Sequence, residues 1–103
     1  MIAIIKNKIN QLIDICGKYN VRRLALFGSA VSDRPISKVG DIDFLVEFQS
    51  MPPARHADNY FGLIEDLEKL FNLPVDLIEF GSIQNPYFRE EIEETQVVLY
   101  NAA

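Results

Sequence analysis

The sequence predicts an α+β fold in which about four helices pack on a small mixed sheet of three to four strands. Two observations predict this fold. Apolar residues recur at steps of three and four in the helical segments, and short apolar runs typical of strands separate those segments. The elements follow in the order helix, strand, turn, strand, helix, strand, helix, and the C-terminal residues are compatible with one more strand.

Length and composition favour a small single-domain protein that binds neither nucleic acid nor membrane directly. The 103 residues are typical of a single domain over 1–103. The net charge of −5 argues against direct nucleic-acid binding through overall charge. Cys16 is the only cysteine, so no disulfide forms within the chain and a cytoplasmic location is expected. No apolar run approaches the roughly 20 residues that span a bilayer, so no membrane contact is expected.

The first half of the chain contains one helix and two strands. Residues 2–19 carry an apolar stripe at helical spacing, which predicts an amphipathic helix. Val21–Phe27 is a short apolar run and predicts a strand. Residues 29–40 are rich in Ser, Asp, Pro and Gly, which indicates a short helical turn and a loop. Asp41–Phe48 then predicts the second strand.

A second long helix connects this strand to a third. Pro52 and Pro53 predict a loop before it. Apolar residues at helical spacing predict the helix from about Asp58 to Asn72, and Pro74 ends it. Val75–Phe80 follows as the third strand.

The C-terminal segment begins with a helix-start signal. Asn85 is a typical N-cap residue, and proline is favoured at the first helical position, which Pro86 occupies. The predicted helix runs to about Glu94. Val97–Tyr100 is compatible with a final short strand.

Three aspartates stand out because strands disfavour Asp. Asp41 and Asp43 lie two residues apart in a predicted strand, so both side chains point to the same face. Asp76 opens the next strand along the chain and faces the same site if the two strands are neighbours. Such carboxylates repel unless a cation lies between them, and oxygen ligands suit Mg²⁺ or Mn²⁺. The residues alone are equally compatible with solvated carboxylates at strand ends and turns.

Gly28 and Ser29 end an apolar run thirteen residues before Asp41. Glycine lets the backbone approach a ligand closely. The Ser hydroxyl and the first N–H groups of a helical turn can bind an anion. A phosphate site beside a dicarboxylate metal site is what a metal–nucleoside triphosphate requires. The same two residues are also compatible with an ordinary helix start that Ser29 caps.

Three motifs in this order resemble the nucleotidyltransferase fold of the DNA polymerase β superfamily, and most closely its minimal nucleotidyltransferases, the MNT family. They are Leu26–Ser29, Gly40–Val46 and Val75–Leu77. MNT proteins are stand-alone domains of about this size, so the resemblance covers nearly the whole chain.

The resemblance implies a role for each motif residue. Gly28 and Ser29 would bind the triphosphate of ATP. Asp41 and Asp43 would hold two Mg²⁺ ions, with Mn²⁺ as a substitute. Asp76 would be the third carboxylate at the metals and a candidate to take the acceptor's proton. The implied reaction is an in-line displacement at the α-phosphorus with pyrophosphate as the leaving group.

The segment after Gly28 departs from the family pattern. Ser32 and Asp33 stand where many MNT sequences carry arginine and glycine. Arg34 or Lys38 is the candidate for phosphate binding in their place, although both are also typical of solvated loop cations. Elsewhere, His56 has no metal-ligand spacing to another His or Cys and is expected to be solvated or to cap a helix.

The resemblance also implies a partner. MNT proteins pair with helical HEPN proteins in toxin–antitoxin systems, and the MNT protein transfers AMP to a tyrosine of the HEPN RNase toxin. The first hypothesis is therefore a Mg²⁺-dependent protein adenylyltransferase that acts as antitoxin in a hetero-oligomer with a HEPN toxin. The alternatives are a non-catalytic MNT-fold antitoxin that neutralises the toxin by binding, a nucleotidyltransferase that acts on a small molecule, and a D-x-D sugar-nucleotide transferase of another fold.

Overall fold

The computed structural model describes residues 2–32 and 40–102. Its centre is a mixed sheet of four strands: β1 (Val21–Phe27), β2 (Ile42–Phe48), β3 (Val75–Glu79) and β4 (Val97–Asn101). The strand order is β3-β2-β1-β4. β1 pairs antiparallel with β2 and β4, whereas β2 and β3 run parallel. The predicted α+β class and mixed sheet are confirmed.

Four α-helices occur among the described residues: α1 (Ala3–Asn7), α2 (Ile9–Lys18), α3 (Pro53–Phe71) and α4 (Pro86–Thr95). Two short 3₁₀ turns, Gly28–Val31 and Phe80–Ser82, follow β1 and β3. No helix in the described part of the chain combines the length and apolar character that crossing a membrane requires.

The predicted continuous helix over 2–19 is wrong at one residue, Lys8. Its backbone leaves the helical region (φ −118°, ψ 21°) and separates α1 from α2. The Lys8 ammonium donates a hydrogen bond of 2.8 Å to the carbonyl of Leu70, in the last turn of α3. An ammonium group at the C-terminal carbonyls of a helix is favourable, so this long-range contact stabilises the break.

The predicted loop at Pro52 and Pro53 is correct for Pro52 and wrong for Pro53, which is the first residue of α3. Proline suits this position, since the first N–H groups of a helix have no partner within the helix. The helix therefore begins five residues before the predicted Asp58. Its end agrees with the prediction, because Asn72 adopts the left-handed conformation (φ 53°, ψ 40°) that stops a helix.

The C-terminal elements form as the sequence predicts. The Asn85 side chain accepts hydrogen bonds from the N–H groups of Tyr87 and Phe88, at 2.9 and 3.3 Å, and so caps α4. Pro86 is the first helical residue. Val97–Asn101 pairs with β1 as the fourth strand.

Two hydrophobic clusters cover the two faces of the sheet. The larger one joins α1, α2 and α3 to residues such as Leu24, Phe44 and Leu77. The smaller one joins α4 to Ala25 and Leu45. Strand side chains alternate between the two faces of a sheet. Every second residue of β2 therefore faces α4, and both Leu45 and Asp43 belong to this set.

Side chains of α3 bond two backbone groups of β3, an edge strand. Glu68 accepts a hydrogen bond of 3.0 Å from the N–H of Val75. The Tyr60 hydroxyl donates one of 2.6 Å to the carbonyl of Leu77. Unpaired backbone N–H and C=O groups on an edge strand can otherwise form hydrogen bonds with another chain. These bonds hold β3 beside β2 and fix its position along the sheet.

A polar contact joins α2 to α3 at Asp66. Its carboxylate accepts hydrogen bonds from the Tyr19 hydroxyl at 2.8 Å and from the Lys18 ammonium at 3.0 Å. The Tyr19 ring lies so close to Gly62 that a Cβ there would stand 2.5 Å from it. The hydrogen bond from Tyr19, followed by Lys18, lowers the pKa of Asp66 below its ordinary value of 3.8.

We expect Asp66→Asn to lower the free energy of unfolding at neutral pH. A carboxyl with a lowered folded-state pKa contributes stability above its unfolded pKa and loses it as the pH falls through the folded value. The difference from the wild type should be constant between about pH 5 and pH 8 and should shrink below about pH 4. Urea unfolding across this range measures it. Glu65→Gln, an exposed change on the same helix, is the control, and an equal effect of both variants would contradict the prediction.

Candidate active site

Asp43 and Asp76 face each other across the parallel pair of strands. β2 and β3 are neighbours, and these two residues are register partners. Neighbours in register point to the same side of a sheet, so both carboxylates lie on the α4 face. Asp43 is half-buried and Asp76 is exposed. The sheet therefore brings together two carboxylates that are 33 positions apart in sequence.

Asp41 lies next to this pair but outside the strand. The prediction that it belongs to β2 is wrong by one residue, because β2 begins at Ile42. Asp41 is exposed. Its charge nevertheless reaches Asp43 and contributes to raising the pKa of that carboxyl.

The electrostatics of the site centre on Asp43. Partial burial raises the pKa of Asp43 above its ordinary value, and the negative charges of Asp76 and Asp41 raise it further. Each of these causes disfavours the ionised form. A cation held among the three carboxylates would reverse this, since an opposite charge favours ionisation.

Gly28 packs directly against the Asp43 carboxylate. It follows β1, whose last residue, Phe27, is the register partner of Asp43. A Cβ on Gly28 would stand 2.3 Å from Asp43 Oδ2. The Gly28 φ of +72° also lies in the left-handed region, which other residues rarely adopt. Both the contact and the backbone conformation require glycine here.

Ser29 lies in the Gly28–Val31 turn, partly buried, one residue beyond this contact. The interpretation of Ser29 as the cap is wrong, because Phe27 holds the cap position and no side chain caps the turn. Ser32 donates a hydrogen bond of 3.2 Å to the carbonyl of Ser29. The candidate phosphate contacts Arg34 and Lys38 lie outside the described residues.

The donor set fits Mg²⁺. Within residues 2–32 and 40–102, no three His, Cys, Asp or Glu side chains are arranged to hold a metal ion by themselves. Mg²⁺ usually binds through one or two carboxylates together with substrate phosphates, rather than in a cage of protein ligands. Asp43 and Asp76 supply two carboxylates in register, and Asp41 supplies a third nearby.

Two cavities lie on the surface of the described residues, one beside the aspartates and one toward the C-terminal end of β3, and sequence reasoning identified neither. One of about 470 Å³ opens beside Gly28, between the Gly28–Val31 turn and α4. A larger one of about 570 Å³ lies between α3 and β3, and no aspartate of the site lines it. His56 lines the larger cavity, is in hydrogen-bond contact with Glu79 and keeps 40% of its side chain exposed. It is therefore partly solvated and does not cap α3, which has no side-chain cap.

The match to a protein family agrees with this geometry. Residues 9–99 match the nucleotidyltransferase domain family. The chain belongs to this family. A relative from Methanocaldococcus jannaschii, named as a candidate protein adenylyltransferase, is 44% identical over 77 residues, which cover 75% of each chain.

Solved structures of nucleotidyltransferases share the fold. A candidate minimal nucleotidyltransferase superposes with a TM-score of 0.72 at 22% identity over 90% of both chains. A complex of a tri-AMPylated HEPN toxin with an MNT antitoxin from Shewanella oneidensis gives a TM-score of 0.61 at 17% identity, over 94% of this chain and 72% of that one. The predicted nucleotidyltransferase fold is confirmed.

We expect Gly28→Ala to destabilise the protein because of the left-handed φ and the contact with Asp43. The left-handed conformation alone costs about 1–2 kcal/mol for a residue other than glycine, and moving the carboxylate adds to this. Urea unfolding measures the loss. Gly81→Ala is the matched control, since a Cβ at Gly81 meets nothing within 4 Å.

The same measurement in an Asp43→Ala background separates the two causes. Removal of the carboxylate should reduce the cost of Gly28→Ala, as a double-mutant cycle of contacting residues shows coupling. A cost that stays the same in both backgrounds would contradict the contact between Gly28 and Asp43.

Proposed function

We propose that this nucleotidyltransferase is a Mg²⁺-dependent protein adenylyltransferase that transfers AMP from ATP to a tyrosine of a HEPN RNase toxin. It would thereby act as the antitoxin, in a hetero-oligomer with the toxin and in the cytoplasm. The observation that carries the proposal is the in-register pair Asp43 and Asp76 with Gly28 against the Asp43 carboxylate. This arrangement leaves two carboxylates beside a backbone that a polyphosphate can approach closely.

Each site residue has a role in the proposal. Gly28 and Ser29 would bind the triphosphate of ATP. Asp41 and Asp43 would hold the metal ions, with Asp76 as the third ligand. Bound Mg²⁺ would stabilise the charge on the attacking and leaving oxygens.

The chemistry of the transfer needs one proton acceptor. The tyrosine oxygen forms a bond to the α-phosphorus, and the bond from that phosphorus to the bridging oxygen breaks. Pyrophosphate leaves with the electron pair of this bond. We assign the tyrosine proton to Asp76, whose exposed carboxylate is accessible to a partner chain. The rate then comes mainly from positioning the reactants and stabilising charge.

The nature of the partner rests on the relatives and on charge. The M. jannaschii relative is named as a protein adenylyltransferase candidate, and the S. oneidensis complex contains an AMPylated HEPN toxin. The net charge of −5 suits a partner whose RNA-binding face is basic. A phosphate group on such a face adds negative charge where RNA binds, which would silence the toxin.

A second candidate is an antitoxin that blocks the toxin by binding alone. The observation that favours it is Ser32, which stands at the position of the family's arginine and donates its hydrogen bond to the Ser29 carbonyl. A hydroxyl in place of a guanidinium lacks the positive charge that holds a phosphate. This would weaken nucleotide binding without changing the fold.

We expect Asp43→Asn and Asp76→Asn each to lower AMP transfer by about 100-fold or more, since each removes a carboxylate ligand of the Mg²⁺ that would stabilise charge at the reacting phosphate. The assay mixes the purified chain with ATP, Mg²⁺ and a HEPN protein encoded beside its gene. Mass spectrometry then detects a gain of one AMP group on a tyrosine of the partner. Asp58→Asn, an exposed change on α3, is the control and should keep the wild-type rate.

Two results would decide against the catalytic proposal. One is a wild-type chain that binds and inhibits the HEPN protein but never increases its mass. This result favours the second candidate. The other is an Asp43→Asn variant that transfers AMP at the wild-type rate, which would remove Asp43 from the site.

A further inference from the structure

The cavity of about 470 Å³ borders the proposed phosphate site, because Gly28 is one of its lining residues. Its floor is formed by Phe27 and Gly28, and one of its walls is α4. Small-molecule pockets commonly have volumes of about 300–1,000 Å³, with mostly apolar walls and a few polar groups. Phe88 and Ile92 supply apolar wall on α4, and Glu91 supplies a carboxylate.

The order of the strands places this cavity on one side of the carboxylates. Asp76 lies on β3, Asp43 on β2, and Gly28 follows β1, so Gly28 and Asp76 flank Asp43 on opposite sides. The proposed acceptor approaches at Asp76. The cavity beside Gly28 is therefore on the side of the nucleotide, away from the acceptor.

Phe88 lines this cavity and keeps much of its apolar surface exposed. The residue is 40% exposed, although a phenyl ring is normally buried. The bonds from Asn85 hold its backbone in the first turn of α4. Arg89 fixes the same turn by donating to the Phe80 carbonyl at 3.0 Å, with its guanidinium 4.4 Å from the Phe80 ring centroid. A positioned, partly exposed aromatic ring is a surface on which a nucleobase can stack.

Glu91 identifies which part of the nucleotide this cavity receives. It lies three residues after Phe88, so both side chains are on one helix face. Among the described residues, its carboxylate has no hydrogen bond or ion pair. A carboxylate repels phosphate and accepts hydrogen bonds, which favours an uncharged group with N–H or O–H donors at this wall.

We propose that this cavity binds the nucleoside of the nucleoside triphosphate, with the base against Phe88 and Glu91 accepting hydrogen bonds from its amino or hydroxyl groups. The proposal rests on the proposed function for the position of the phosphates. It assigns the substrate specificity to α4, an element outside the three sequence motifs.

The test compares ATP with inorganic tripolyphosphate, which has the phosphates but no nucleoside. Isothermal titration calorimetry with Mg²⁺ measures the Kd of both for the wild type and the variants. Phe88→Ala should weaken ATP binding by about tenfold or more, as expected for a lost stacking contact. The same variant should leave tripolyphosphate binding unchanged. Glu91→Ala should likewise raise the Kd for ATP and leave the Kd for tripolyphosphate unchanged.

Matched controls come from the neighbouring residues. Tyr87→Ala removes an aromatic ring that is 82% exposed and does not line the cavity. Glu90→Ala removes the same charge from an exposed position next to Glu91. Neither should change the ratio of the two Kd values. Phe88→Leu keeps an apolar side chain at this position of α4 without an aromatic ring, and it replaces Phe88→Ala if the alanine variant unfolds.

Three outcomes would overturn the proposal. If Phe88→Ala binds ATP as the wild type does, the nucleoside does not contact Phe88, and a simultaneous loss of transfer would assign the cavity to the acceptor. If the variant loses ATP and tripolyphosphate equally, the cavity does not distinguish the nucleoside from the phosphates. If the wild type binds neither ligand, the proposed function fails together with this inference, whereas the first two outcomes leave the proposed function intact.

Discussion

The parallel pairing of β2 and β3 forces the carboxylates of Asp43 and Asp76 side by side. This juxtaposition works against stability, because both like charge and partial burial raise the pKa of Asp43. Gly28 adds to the crowding by packing its backbone against the same carboxylate, in a conformation that only glycine adopts easily. An arrangement of this kind is unfavourable in isolation, and the proposed cation and polyphosphate would offset the repulsion between the carboxylates. The rest of the fold keeps Asp43, Asp76 and Gly28 in this arrangement.

The two faces of the sheet divide that task. On one face, α1, α2 and α3 form the larger apolar core, which includes Phe44 stacked on Phe71 at a centroid distance of 6.2 Å. This core holds β2 in the sheet, although Asp41 and Asp43 lie at the start of that strand. On the other face, α4 covers only part of the sheet and leaves Asp76 exposed. The hydrogen bonds from Tyr60 and Glu68 hold β3 at its edge, so the register that pairs Asp43 with Asp76 is supported from α3.

Local sequence signals predict the strands and the cap of α4 well, because those features depend on residues close in the chain. β1 begins and ends where its apolar run does, and Asn85 caps α4 as its residue type suggests. The break at Lys8 could not be predicted in this way, since it depends on a hydrogen bond to Leu70, 62 residues away. Pro53 was ambiguous, because proline suits both a loop and a first helical position. The place of Phe88 beside a cavity could not be predicted either, since it depends on how α4 packs against the Gly28–Val31 turn.

The account depends on Asp43 and its neighbours holding the metal that accompanies the nucleotide. The most direct measurement is the anomalous scattering of Mn²⁺ in crystals grown with Mn²⁺ and a non-hydrolysable ATP analogue. The account predicts an anomalous peak in contact with the Asp43 carboxylate and with Asp41 or Asp76, next to phosphates that lie along Gly28. A bound analogue whose Mn²⁺ has no ligand among these three carboxylates would contradict it.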